Sequence, residues 1–205
     1  MRSWMQGGLC ALTVLAMTVG AQAQMQKQSK TVRLRGEITN VDGSVVSLKD
    51  AKGADVKVKL ADKLKVYGVE KTSLSSIKVG DFVGVGAMPQ PDGSQKAIQV
   101  TIFSEAQRGT GEGFKPWDRP NSTMTNATVA TSVSGINGQE MMVKYKDGEK
   151  KIIIGPDAVI LRYVDGNKSE IKPGAKVAIS RAQPTGAGQY AADRINVGVG
   201  GYAPH

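Results

Sequence analysis

Between residues 104 and 118 the chain runs Ser-Glu-Ala-Gln-Arg-Gly-Thr-Gly-Glu-Gly-Phe-Lys-Pro-Trp-Asp, its densest grouping of side chains that could do chemistry. Arg108 and Lys115 could engage an anion, the amides of Gly109, Gly111 and Gly113 could line it, and Glu112 and Asp118 add carboxylates. Paired carboxylates can divide acid and base roles, as in glycoside hydrolysis, so Glu112 and Asp118 define one enzymatic reading, a carboxylate-dependent hydrolase. The same stretch also has a structural reading. Phe114, Pro116 and Trp117 are rigid apolar surface that a flexible spacer lacks. They would make it a clasp, with Trp117 and Phe114 packed into a seam between modules and Asp118 capping a turn. A phosphate cradle is a weaker reading of the alternating glycines, because that signature opens a helix and Phe114-Lys115-Pro116-Trp117 stops one.

The remaining inventory narrows the chemistry further. The sole histidine is His205, the last residue, and the sole cysteine is Cys10, inside an apolar N-terminal run. Neither a serine-histidine-aspartate arrangement nor a thiolate site, a disulfide or a histidine-based metal site has the material it needs. No spaced Asp/Asn/Gly calcium loop occurs. Residue types therefore nominate the 108–118 segment as a binding site and assign no catalytic residue, no metal ligand and no cofactor.

This segment stands between two copies of one pattern. Val41-Asp42-Gly43, Gly53, Asp62, Ile77-Lys78-Val79-Gly80 and Val83 return as Ile136-Asn137-Gly138, Gly148, Asp157, Ile171-Lys172-Pro173-Gly174 and Val177, about 95 residues later. In the first copy Val32, Leu34, Gly36 and Ile38 alternate with charged or polar residues, Asp42-Gly43 and Lys52-Gly53 are hairpin turns, and Val56, Val58 and Leu60 alternate with Lys57 and Lys59. That predicts a three-stranded meander. Residues 61–76 are less regular, with a short β-prone piece at 65–67, and strands over 82–88 and 97–103 close the unit. Gly84 and Gly86 there permit close approach or sharp coiling.

The second copy predicts strands over 129–134, 140–146, 150–154, 159–163, 177–181 and 194–199. Ile152-Ile153-Ile154, apolar on both faces, fits either burial between modules or a more deeply buried strand. No stretch has the period of a long amphipathic helix. The expected fold is all-β, with two tandem small OB-like β-barrels spanning 31–103 and 126–205; small open β-sandwiches are the alternative. A structured segment, 104–125, joins them.

The N-terminus supplies an address. Arg2, the uncharged apolar run 9–19 and Ala21-Gln22-Ala23 form a cleavable signal peptide over 1–23, leaving Gln24 to head an arm over 24–30. The run is far shorter than the roughly 20 residues that span a bilayer, and no later segment could span one, so the expected protein is periplasmic or secreted. The formal charge is +9, yet the two copies carry +3 each, and aromatics are 5% of the chain with no cluster in either copy. Nucleic-acid binding needs concentrated basic residues interleaved with aromatics, so that class is set aside. A lysine-rich solvated strand surface, blunting exposed edges, explains the charge, and an anionic envelope polymer or envelope protein remains as partner. Oligomeric state is not legible.

Arg-Gly-Thr-Gly-Glu-Gly at 108–113, Pro-Trp-Asp at 116–118 and Ser-Thr-Met-Thr-Asn at 122–126, flanked by the two repeats, resemble a family of small exported proteobacterial proteins of unknown function. The resemblance covers the mature chain and implies OB-like barrel repeats. Members of that family often carry a name borrowed from metal transport permeases, which suggests a third reading, an accessory factor for metal uptake. The family pattern often has a histidine where this chain has Phe114. Taken together, the sequence reads as an exported, non-enzymatic binding or interaction protein of the cell envelope.

Overall fold

The computed structural model describes residues 30–135 and 138–204. The expected leader, residues 24–29 of the arm, residues 136 and 137 of the second copy's first turn, and His205 lie outside the described residues. The elements are β1 (Val32–Asp42), β2 (Val45–Asp50), β3 (Asp55–Lys71), β4 (Phe82–Pro89), β5 (Gln95–Ile102), β6 (Gly113–Pro116), β7 (Thr123–Gly135), β8 (Gly138–Tyr145), β9 (Gly148–Ile154), β10 (Val159–Asp165), β11 (Lys176–Gly186) and β12 (Gln189–Gly198). Three short 3-10 turns are the only helical pieces among the described residues, and no helix there is long and apolar enough to cross a membrane. Local chemistry sets the first meander as expected. Gly43, at φ 55°, makes the β1–β2 turn, and Val46, Leu48, Val56, Val58 and Leu60 point to one buried side while Lys57 and Lys59 face outward.

Both meanders close into five-stranded barrels. In one, β1–β2–β3 is completed by β11 antiparallel to β1 and β12 parallel to β3. In the other, β7–β8–β9 is completed by β4 antiparallel to β7 and β5 parallel to β9. Each ring has the strand order of an OB-like barrel, and each has its own core. Leu34, Ile38, Leu48, Val58, Ile179 and Ile195 fill the first, and Val83, Val85, Val100, Met141, Ile152 and Ile154 the second.

The barrels are not the two contiguous copies 31–103 and 126–205. Each takes its meander from one copy and its closing hairpin from the other. One barrel is consequently continuous, from β4 to β9, and the other wraps around it with strands from both ends of the chain. They are called the inner and outer barrels below. The cause is β3. Residues 61–71, expected to be less regular apart from a β-prone piece at 65–67, stay within the strand across a bulge between Leu60 and Lys65, so β3 is 17 residues long. Rather than folding back on its own barrel, the chain is carried into the other one. The far half of β3 corresponds in the repeat to β10, and the two pair antiparallel through Gly68↔Val164 and Val69↔Tyr163. A local twofold relates the copies, as in a strand-exchanged dimer fused into one chain.

Several boundaries move as well. β7 starts at Thr123, three residues inside the expected connecting segment, and β11 and β12 extend well beyond 177–181 and 194–199. Of the three isoleucines, Ile152 and Ile154 are core, while Ile153 is half-buried on the outer face opposite Glu140 and Lys96. Between the barrels, Tyr67, Val69, Phe82, Leu161, Ala178 and Asn196 are buried without belonging to either core. They form a seam, along which Phe82, Phe103, Tyr163 and Tyr67 touch in series with ring centroids 5.3 to 6.0 Å apart.

Candidate functional site

The segment from 104 to 122 is a strap across the inner barrel. It opens with a 3-10 turn, Glu105–Gln107, in which Ser104 and the buried Gln107 cap each other. Gly109, Gly111 and Gly113 take φ of 80°, 59° and 123°, a left-handed region that a side chain disfavours. Their role is to turn the chain. β6 then adds to β7 as an extra strand, Phe114 opposite Thr125 and Pro116 opposite Thr123. Asn126, buried on β7, donates from Nδ2 to the Thr110 carbonyl at 2.9 Å and fastens the glycine turns beneath it.

Every charged side chain of the proposed site has a protein partner. Arg108 donates to both carboxylate oxygens of Glu105, at 2.5 and 2.8 Å, and to the Gly80 carbonyl at 3.0 Å. Lys115 donates to the Gly111 carbonyl at 3.3 Å, and Glu112 accepts from the Lys146 amide at 3.1 Å. Trp117 lies on Gly86 of β4, where a Cβ would come within 2.5 Å of the indole ring, and the Arg119 guanidinium stacks 5.7 Å from its centroid. The close approach expected of the β4 glycines is thus used by Trp117 at Gly86 and by Phe103 at Gly84.

Asp118 reaches the other barrel. Its Oδ2 accepts hydrogen bonds from Arg33 and, at 2.6 Å, from Arg35, two outward residues of β1. Burial works against the charged carboxyl, but the hydrogen bonds and positive charges of Arg33 and then Arg35 outweigh it and hold Asp118 below the usual carboxylate range. The folded carboxyl releases its proton more readily than the unfolded one, so the contribution is complete above about pH 3.9 and is lost as pH falls through the folded value. About a third of each side chain is exposed, so solvent screening leaves about 1 kcal/mol. The Tm gap between the parent protein and Asp118→Asn should be full at pH 6 and close under strongly acidic conditions in thermal melts.

Other groups gather behind this contact. Arg194 lies 5.2 Å from the centroid of Tyr67, and Asn196 donates to the Tyr163 hydroxyl at 3.2 Å. Burial pushes the Tyr163 hydroxyl up against the opposing pull of Arg194 and Arg33. Arg35 Nε and Asn196 Oδ1 are buried without a hydrogen-bond partner.

The predicted set is therefore one stretch of chain but not one constellation. Glu112 and Asp118 stand beyond opposite ends of β6 and are bonded to different elements, Glu112 to the Lys146 amide and Asp118 to Arg33 and Arg35, rather than to a shared centre. Arg108 and Lys115 do not converge on an anion site; each is bonded within or beside the strap. Phe114 is not in the seam: it is 41% exposed, with Lys150 Nζ 4.6 Å above its ring. Asp118 caps no turn but joins the barrels. Sequence reasoning missed Arg33, Arg35, Tyr163, Arg194 and Asn196, since strand alternation marks Arg33 and Arg35 only as outward-facing and singles out none of the other three. Among the described residues no group of three His, Cys, Asp or Glu is close enough to hold a metal. No protein-family model, no curated protein and no solved structure matches the chain.

Proposed function

We propose that the chain is an exported, non-enzymatic binding protein of the cell envelope, with the strap as the clasp that fixes its two barrels and the ligand taken on the exposed barrel surface. The observation that supports it most is the engagement of Asp118 by Arg33 and Arg35 across the barrels, with Trp117 seated on Gly86 one residue earlier. A segment whose charges are all committed to its own protein suits a fastening better than a reaction centre. Export rests on the signal-peptide pattern of residues 1–23.

The test is incubation of the purified protein with envelope polysaccharide and peptidoglycan. Binding that raises the Tm, with no turnover above that of Glu112→Gln, is the expected result. Robust turnover that disappears in Glu112→Gln would overturn the reading.

A further inference from the structure

The outer barrel carries a row of four lysines on β3, with Asp55 at its start and Asp62 within it, and none of the four forms a salt bridge among the described residues. Along β3, Lys57 and Lys59 alternate outward with the buried Val56, Val58 and Leu60, and Lys63 and Lys65 are exposed beside Leu64 and Val66, which pack on the outer-barrel core. Lysines two residues apart on one strand face stand about 6.6–6.8 Å from each other. Across the sheet, Lys57 faces Ser47 and Gln189, Lys59 faces Val45 and Ala191, and Lys65 faces Arg194. None of these cross-strand neighbours is acidic, and like charges placed directly opposite destabilise a sheet.

The inner barrel resolves the same problem differently. Two of its lysines meet glutamates, Lys144 with Glu149 at 3.7 Å and Lys151 with Glu140 at 3.0 Å. By pairing register the positions of β9 that match Lys57 and Lys59 carry Lys151, which is bonded to Glu140, and Ile153. Lys57 and Lys59 do not blunt a sheet edge, because β3 is paired there on both sides, by β2 and β12; Lys63 lies in the bulge between Leu60 and Lys65, and Lys65 pairs with β12. The full row occurs in one copy only, with Lys57 alone matched by a lysine in the other, and at Lys57 and Lys59 it lacks the edge-protecting role that surface lysines often have.

We propose that this ridge, Lys57, Lys59, Lys63 and Lys65 ending at Arg194, is the docking surface for a linear acidic polysaccharide. The inference rests on the binding reading above and names its ligand class. Two pairs of point charges, Lys57 with Lys59 and Lys63 with Lys65, set along one strand on either side of its bulge, suit a chain of repeating anionic groups. Nucleic acid is disfavoured because no exposed aromatic on the ridge offers a stacking face: Tyr67 is buried and Tyr190 packs on the core. A lipid surface is disfavoured because the large exposed apolar side chains among the described residues, Val79, Met88 and Phe114, lie away from it on the strap, on β4 and in the turn leading into β4. The adjoining groove, about 430 Å³, is lined by Arg181 as well as Asp62 and Asp193, so its charge is mixed and the polymer rests on the lysine crest.

Dextran sulfate is the probe, titrated over a range of salt against the full chain, a ridge variant with Lys57, Lys59, Lys63 and Lys65 changed to Gln, and a control with Lys144, Lys146, Lys150 and Lys151 changed to Gln. Binding by the parent, a loss of at least tenfold in the ridge variant, a loss under threefold in the control, and a log–log salt slope shallower by roughly 3 in the ridge variant alone are expected. Lys57→Gln/Lys59→Gln serves if the fourfold variant does not fold. Equal losses in both variants, no binding, or tighter ridge-dependent binding of oligo(dT) or of phosphatidylglycerol vesicles would overturn the proposal. Turnover of a bound polymer would instead overturn the non-enzymatic reading and leave the ridge standing.

Discussion

Residues 31–103 expressed alone are expected to form a dimer, whereas residues 77–165 fold as a monomer. The first span is one complete copy of the repeat, yet in the native chain its β1–β2–β3 meander is closed by β11 and β12 of the other copy. Removing that copy leaves Ile38, Leu48, Val58 and their neighbours without Ile179, Ile195 and Val197 over them. A second copy of the fragment can lend its own β4–β5 hairpin, pairing the far halves of the two β3 strands as β3 and β10 pair natively. Tethering makes this exchange intramolecular in the full chain and concentration-dependent in the fragment. Residues 77–165, by contrast, contain the inner core from Ile77 to Ile160 without interruption. Sedimentation and thermal melts decide the matter: a monomeric 31–103 fragment with a cooperative melt would show that a contiguous copy closes on itself.

The second large effect is expected from Leu161→Ala. Leu161 is 2% exposed and belongs to neither barrel core; it lies on β10, which pairs with β3 of the outer barrel and β5 of the inner. Truncating a buried leucine costs about 2–5 kcal/mol through lost transfer energy and the cavity left behind. In a chain of this size that corresponds to a drop in Tm of roughly 6–15 °C. Since the cavity opens in the seam, the inner barrel should keep its protection in hydrogen exchange while β3 and β12 lose theirs. Uniform loss across both barrels would mean that they open as one cooperative unit and would contradict a cavity confined to the seam.

These results bear on what could be read in the sequence. The meander strands were legible because burial imposes a period of two on Val56, Val58 and Leu60, and the turn at Gly43 needs a residue that accepts positive φ. The repeat, and with it the count of two OB-like barrels, followed from matched turn residues. Which hairpin closes which barrel was not legible, because Val83 and Val85 in one copy match Val177 and Ile179 in the other and either pair satisfies either meander. The decision lies in residues 61–71, of which only 65–67 read locally as β-prone but whose residues 65–71 run on as strand once β10 and β12 lie beside them.

The strap divides in the same way. Trp117 was recognisable as an anchor from its size, in a segment too rigid for a linker. The partners of Asp118 stand 85 and 83 residues earlier in the chain, on a strand where alternation made Arg33 and Arg35 look merely solvated. Arg108, Glu112 and Lys115 could suggest an anion site only while their own bonding partners were unknown. Residues repeated in both copies build the barrels. What occurs once is of two kinds, the strap that fastens them and the lysine ridge on β3.

Exchange of hairpins between the copies underlies all of this, and a cross-link tests it most directly. Glu37 of β1 and Lys176 of β11 are exposed and directly paired across the outer barrel. With Cys10 changed to Ser, Glu37→Cys/Lys176→Cys should form an intramolecular disulfide under mild oxidation, in full yield and without loss of cooperative melting. No intramolecular disulfide, or one formed only when the protein is denatured, would contradict the exchange.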